Sequence, residues 1–213
     1  MNNKMKISYA ITVCNEFLEI QRLVTFLLEN KRRQDEVVVL VDLTKNEPTS
    51  ELLGYLHRLS PNNHITLKED KFSGHFADWK NQLTSYCEGD FIFQIDADEI
   101  PSEYLMKSLP EILESNDNVD VMLVPRVNTV EGLTQEHIDK WAWNVNSEGW
   151  VNWPDYQWRI YRNVPSIEWR NKVHERLDGY KVMSTLPANS DFALFHPKTI
   201  ERQERQNNYY DTL

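Results

Sequence analysis

The apolar positions of the first hundred residues alternate between two periods. Ile7 to Val13 is a largely apolar run of strand length. Asn15 then stands where a helix cap belongs, and Ile20, Leu23, Val24 and Leu27 follow at helical spacing. Val37 to Val41 is a β-branched run, the pattern of a strand covered on both faces. A second helix is predicted over Ser50 to Leu59 and a weaker strand over Ile65 to Leu67. Phe76, Trp79, Leu83 and Tyr86 share a helical face, with Gly89 in the terminator position, and Phe91 to Ile95 is a fourth strand. This order predicts an α/β fold, an open, mostly parallel sheet with helices on both faces.

The second half is less regular. Two short helices are predicted within Ser102 to Ser115, with Pro110 marking a restart. Val119 to Val127 reads as a strand in which Pro125 suits an edge or a bulge. Glu131 to Pro154 reads as a Trp-rich loop; Gln157 to Tyr161 and Asp191 to Phe195 read as strands, and Thr199 to Tyr210 as a polar terminal helix. In open sheets of this kind ligands collect beyond the carboxyl ends of the strands. That places Thr12 to Glu16, Asp42 and Asp96 to Glu99 at one rim.

Composition narrows the class. A chain of 213 residues with 40% hydrophobic and 26% charged positions is sized for one globular domain. No run approaches the roughly 20 apolar residues that span a bilayer, so no integral membrane segment is expected, and the N-terminus reads as a first strand rather than a secretory signal. Two cysteines, Cys14 and Cys87, make a disulfide framework unexpected and a cytoplasmic setting the natural one. The net charge of -10 argues against a general nucleic-acid coat. The charge is uneven: Pro101 to Trp158 has 3 basic against 10 acidic residues, and Arg159 to Arg205 has 9 against 6. The last quarter either presents a basic face to phosphate or carries ordinary solvated charge.

Asp96-Ala97-Asp98-Glu99 follows directly on an apolar strand. Clustered carboxylates call for a cation or for solvent. Mg²⁺ or Mn²⁺ would meet the first need, being a hard ion that takes carboxylate oxygens and bridges to phosphates. A solvated turn, with Glu99 beginning the Pro101 helix, would meet the second. The tripeptide alone does not decide.

Its context adds a likeness. Phe76-Ala77-Asp78-Trp79-Lys80-Asn81, Gly89-Asp90 and Asp96-Ala97-Asp98-Glu99, in that order, resemble family 2 glycosyltransferases of the GT-A fold. Ala10 to Glu16 resembles their first strand, and Asp42 the aspartate ending their second. Arg159-Ile160-Tyr161-Arg162-Asn163, Trp169 and Val173-His174-Glu175 resemble a segment of one subgroup, and the Arg162 region is similar to small transferases of large tailed phages. The resemblance spans Ile7 to Tyr210 and implies a single GT-A domain over 1–213. Residues 1–100 would form the nucleotide-sugar-binding half, and 101–213 the half that binds acceptor and completes the site. Lys80 stands in place of the family's usual Arg, and Leu43-Thr44-Lys45-Asn46 in place of its Gly-Ser-Thr-Asp turn, which leaves the nucleotide open.

The resemblance implies a hexosyl- or pentosyltransferase that uses a nucleotide-diphosphate sugar, UDP-sugar favoured, with Mn²⁺ or Mg²⁺ and inversion. Thr12, Cys14, Glu16 and Asp42 would cradle base and ribose; an exposed strand-end carboxylate is the other reading of Asp42. Lys80 would sit near the diphosphate, or else face solvent. Asp98 would contact the metal, Asp96 the metal or the ribose, and His196 would complete the site unless it is a plain turn residue. With only six glycines and no Gly-x-Gly-x-x-Gly or phosphate loop, pyrophosphate must be neutralised by cation and side chains. Glu175 is the preferred base, with Asp155 second; the alternative for Glu175 is a salt bridge to Arg176 or Lys172. Arg159, Arg170 and Lys172 are phosphate or acceptor contacts or surface pairs. Trp150 and Trp153 either shape an acceptor mouth or pack as core or lid. The acceptor is open between a glycan and a hydroxylated nucleobase in modified DNA. Two other functions remain: a metal-dependent nucleotidyltransferase or sugar-nucleotide hydrolase, and a non-catalytic module that binds sugar nucleotide or glycan.

Overall fold

The computed structural model describes residues 5–44, 50–62 and 64–210; side chains are described for all of these except Asn62 and residues 208–210. Lys45 and Asn46 of the turn noted above lie outside the described residues. The first half alternates as the hydrophobic pattern predicts: β1 (Ile7–Val13), α1 (Phe17–Asn30), β2 (Glu36–Asp42), α2 (Ser50–Leu59), β3 (Thr66–Asp70), α3 (Phe76–Ser85) and β4 (Phe91–Asp96). Then follow β5 (Ile100–Pro101), α4 (Glu103–Ser115), β6 (Val121–Glu131), α5 (Gln135–Trp141), β7 (Val151–Arg162), β8 (Glu168–Arg170), β9 (Arg176–Asp178), β10 (Met183–Thr185), β11 (Leu194–Thr199) and α6 (Ile200–Tyr210).

The main sheet has the order β3-β2-β1-β4-β7-β6-β11-β5, with β10 also paired to β6. All its strands run one way except β7 and β5. Period-two alternation sorts the central strands onto two cores. Tyr9, Val39 and Phe93 face one side, against α1, α2 and α4. Ala10, Val38, Leu40 and Ile92 face the other, against α3 and the β8–β9 ribbon. Both faces are therefore covered, which is why these strands read as nearly continuous apolar runs. Among the described residues no helix is long and apolar enough to cross a membrane.

Several expectations change. Asn15 does not cap α1: Glu16 is the N-cap, and its carboxylate instead accepts from the Cys14 and Asn15 backbone N–H at 2.9 and 3.1 Å. Ser102 to Ser115 is one helix, α4, with Pro110 inside it. Burial of Leu105, Met106, Leu109 and Leu113 on one face outweighs the hydrogen bond that proline removes. Pro125 lies in an interior strand, but β10 pairs with Val121 to Leu123 and β11 begins at Arg126, so the proline sits in a gap between partners. The stretch from Glu131 to Pro154 is not all loop, since it holds α5 and the start of β7.

Gly89 does not end α3, whose C-cap is Tyr86. It lies where a Cβ would come within 2.6 Å of the Ser8 backbone nitrogen. Its own N–H donates to Ser8 Oγ at 2.8 Å, and Ser8 donates to Glu36 at 2.5 Å. Lys6 pairs with the same Glu36 at 2.9 Å, so this far rim of the sheet is stitched shut. Gly89→Ala is expected to cost about 1–3 kcal/mol from forced displacement of the Ser8 backbone. A lower urea midpoint at unchanged m-value would register it.

Candidate active site

The opposite rim collects the carboxyl ends of β1, β2, β4, β6 and β11. Because β7 runs the other way, it contributes its amino-terminal half there. The result is a cleft of about 1790 Å³ lined by groups from both halves of the chain. Thr12, Cys14, Glu16, Asp42, Lys80, Asp96, Asp98, Asp155, Arg159, Glu175 and His196 all line it.

The floor is a buried charge network centred on Arg159, which is 3% exposed. Between β6 and β7 the register slips so that Ile160 faces Met122 and Trp158 faces Leu123. Arg159 is the extra residue, a bulge of the kind that re-aims a side chain. Its guanidinium donates to Glu99 Oε2 and Oε1 at 3.0 and 2.8 Å, to Gln94 Oε1 at 3.1 Å and to Asp96 Oδ2 at 2.5 Å. Glu99 is wholly buried and also receives Arg126 at 3.0 Å and the Asp96 backbone N–H at 3.1 Å. It therefore does not begin a solvated turn. Burial would raise the Asp96 carboxyl, but Arg159 and then Lys80 hold it well below the usual carboxylate range. Burial would equally discharge Arg159, but Asp96 and Glu99 keep its guanidinium firmly protonated. Arg159 is thus placed to position carboxylates rather than to meet a phosphate or acceptor.

Asp98 has different company. Its Oδ2 lies 3.0 Å from His196 Nε2 and 3.2 Å from Arg202 Nη2. Burial would raise it, and the His196 contact lowers it below the ordinary range. The tautomer of His196 follows from its neighbours. Asn128 Nδ2 donates to Asp155 at 2.8 Å, so Asn128 Oδ1 is the atom facing His196 Nδ1 at 2.8 Å. Nδ1 therefore carries a hydrogen, and Nε2 meets Asp98 either across a proton or across a cation. Asp98 and His196 are the carboxylate and imidazole that could hold a divalent ion. Among the described residues no group of three or more His, Cys, Asp or Glu is arranged to hold a metal.

The two candidate bases differ sharply. Asp155 accepts from Arg126 at 2.9 and 2.6 Å, from Asn128 at 2.8 Å and from Gln157 at 2.7 Å. Burial would raise its pKa, but Arg126 and these bonds take it below the ordinary value. Glu175 instead reaches the cleft from the loop before β9 with Lys80 Nζ 3.5 Å away. Lys80 is buried and lies over the Trp169 ring at 4.6 Å, so it is not a solvent-facing lysine. Glu175 pairs with Lys80, not with Arg176 or Lys172.

At the β2 end of the cleft, Asp42 Oδ1 accepts from the Thr44 and Phe72 backbone N–H at 2.7 and 3.0 Å, which fixes the carboxylate at the cleft wall. Trp150 and Trp153 do not line the cleft; they pack on one another, centroids 4.9 Å apart. Trp143, Trp158 and Trp169 line it instead. Lys172 is exposed, and its carbonyl accepts from the Phe76 N–H at 3.0 Å. The arginines of the basic last quarter are divided between the interior, surface pairs and the cleft, which Lys198, Arg202 and Arg205 line. Arg159 is buried, Arg162 lies beside Asp120 at 3.5 Å, Arg170 pairs with Glu168, and Arg202 holds carboxylates at the cleft. Gln94, Arg126, Asn128 and Arg202 are not among the candidates the sequence offers, and Glu99 enters there only as the end of the Asp-Ala-Asp-Glu run. The alternation of Arg126 and Asn128 along β6 was the one available signal.

Arg159→Leu removes the cation shared by buried Glu99 and part-buried Asp96 and leaves Glu99 with Arg126 alone, and is expected to cost about 3–5 kcal/mol in denaturant unfolding. Acid gives a second check. The folded pKa values of Asp96 and Asp98 lie below the unfolded value of about 3.9. The stability they confer is complete above that pH and is lost as pH falls through the folded values. Unfolding midpoints should therefore drop steeply below about pH 4, and Asp96→Asn should flatten that dependence.

Comparison with known proteins bears on the family and the fold. Residues 8–187 match the family described as Glycosyl transferase family 2. No curated protein sequence matches the chain. Among solved structures, S. aureus TarS 1–349 aligns with a TM-score of 0.62 at 17% identity, covering 91% of this chain and 60% of that one. The same TarS fragment in complex with UDP-GlcNAc aligns at 0.61 and 19% identity, covering 91% and 59%. The longer TarS chain aligns at 0.61 and 16% identity, covering 95% and 38%. The chain thus spans about 60% of the length of TarS 1–349, and identities this low speak to fold alone. By its fold and by its match over residues 8–187, the chain belongs to glycosyl transferase family 2, with the GT-A architecture.

Proposed function

We propose that the protein transfers a sugar from a nucleoside diphosphate donor to an acceptor hydroxyl, with inversion and with a divalent cation at Asp98. The observation that carries this is the pairing of Asp98 with His196 at 3.0 Å, beside an Asp96 already claimed by Arg159. Asp96 is thereby held by a guanidinium, while Asp98 meets an imidazole nitrogen with which it could share a cation. Two protein ligands do not complete a coordination sphere, and phosphate oxygens are the usual remainder for Mg²⁺ or Mn²⁺. The ion, when bound, offsets negative charge developing on the departing diphosphate.

Thr12, Cys14, Glu16 and Asp42 border the end of the cleft formed by β1 and β2, where base and ribose would lie. The TarS fragment solved with UDP-GlcNAc supports a uridine donor, and a UDP-sugar is our first choice. Glu175 takes the proton from the acceptor hydroxyl as that oxygen bonds to the anomeric carbon and the bond to diphosphate breaks. Lys80 lies 3.5 Å from Glu175 and adds positive charge close to Asp96. Asp155 serves instead to hold Arg126 and Asn128, and through Asn128 it orients His196.

Glu175→Gln should lower turnover about 10²- to 10⁴-fold, the range for a lost general base, with donor affinity within about twofold of wild type. Steady-state release of nucleoside diphosphate, alongside donor titration, separates the two effects. Equal loss of turnover in Asp155→Asn with an active Glu175→Gln would reverse the assignment. Release of pyrophosphate would instead indicate nucleotidyl transfer.

A further inference from the structure

Arg202, in the first turn of α6, gathers carboxylates from separate places in the fold. Its Nη1 donates to Glu19 Oε1 at 2.6 Å. Its Nη2 stands 3.2 Å from Asp98 Oδ2 and 3.8 Å from Glu16 Oε1. These acids come from the cap of α1, its first turn and the turn after β4. Like charges assembled this way need a counter-ion, and the guanidinium supplies one. At 26% exposure the side chain reaches into the cleft without being entombed.

The helix that carries Arg202 is lightly seated. None of the α6 side chains from Ile200 to Asn207 is buried. Polar contacts tie it on two sides: the ion pair of Arg202 with Glu19 of α1, and Glu204 beside His137 of α5 at 3.7 Å. Ile200 lies over Gly132, where a Cβ would come within 3.1 Å of it. A helix with so little apolar burial depends on such tethers and can shift at small cost. Lys198 and Arg205 line the cleft beside it.

We propose that Arg202 is the resident counter-ion of the donor pocket and exchanges Glu19 and Asp98 for the diphosphate of an incoming donor, drawing α6 onto the cleft. This rests on the donor-site reading above. The exchange is chemically matched. A guanidinium leaving Asp98 uncovers the oxygen a divalent ion requires, and its planar fork then meets phosphate oxygens in pairs. Glu19 competes with the donor for the same cation, so the donor binds less tightly than it would to a chain lacking that carboxylate.

The test lies in the signs of two variants, read by calorimetric titration of UDP with Mn²⁺ and again with EDTA. Arg202→Gln should weaken UDP about tenfold or more, in both conditions, through loss of a charge-assisted contact. Glu19→Gln should lower the melting temperature of the unliganded protein yet tighten UDP about threefold. Arg202→Lys should fall between wild type and Arg202→Gln, which identifies a Gln variant that merely misfolds. A passive brace would lower both melting temperatures and leave UDP affinity unmoved. A folded Arg202→Gln that binds UDP like wild type, or a Glu19→Gln that binds it more weakly, overturns the exchange. A wild-type chain that binds none of UDP, GDP, CDP or dTDP overturns the donor site itself.

Discussion

The contact between Arg159 and the carboxylates of Glu99 and Asp96 is the constraint on which the site depends. A fully buried Glu99 is tolerable only because two guanidinium groups and a backbone N–H satisfy its oxygens. Removing one partner from such a group strands the other in low dielectric. The network ties β4, β6 and β7 together at one level, and it fixes Asp96 in place. Asp98, two residues on, is left to His196, Arg202 and whatever binds between them. Adjacent acids in one short motif thus have different partners, Arg159 for Asp96 and His196 with Arg202 for Asp98.

The strand directions make this division possible. Parallel strands deliver polar residues to a shared rim as soon as each apolar run ends. Reversal of β7 then brings Asp155, Gln157 and Arg159 to that rim from the opposite sense. The bulge at Arg159 turns its side chain toward β4, and β11 places His196 opposite Asn128 in register. A site assembled from six strands is anchored where the carboxylates sit. It remains adjustable at α6, which charge rather than apolar packing holds.

The first half of the fold was legible because each element there carries one dominant period. Ile20, Leu23, Val24 and Leu27 lie on a helix, Val37 to Val41 on a doubly covered strand, and both emerge in place. The second half resisted because its strands are polar on one face and depend on partners far away in sequence. The three-residue strands β8, β9 and β10 have no period to read. Pro110 and Pro125 misled for one reason: tertiary context, in one case burial and in the other a gap between partner strands, overrode a local rule. In the site, the acids were readable from their position after β4. Their cations were not, since Arg126, Arg159 and Arg202 look like any charged residue until the fold brings them to Glu99, Asp96 and Asp98. The aromatic residues were misplaced because a cluster of tryptophans in sequence does not say which of them face inward.

The central claim is that this rim is a cation-assisted nucleotide-sugar site. Titrating a panel of sugar nucleotides into the wild-type protein and into Asp98→Asn, each with Mn²⁺ and with EDTA, tests it most directly. The account predicts one-to-one binding of a UDP-sugar by the wild-type protein that is strengthened by Mn²⁺, and loss of that strengthening in Asp98→Asn. Binding that is indifferent to both Mn²⁺ and Asp98, or no binding of any sugar nucleotide, would contradict it.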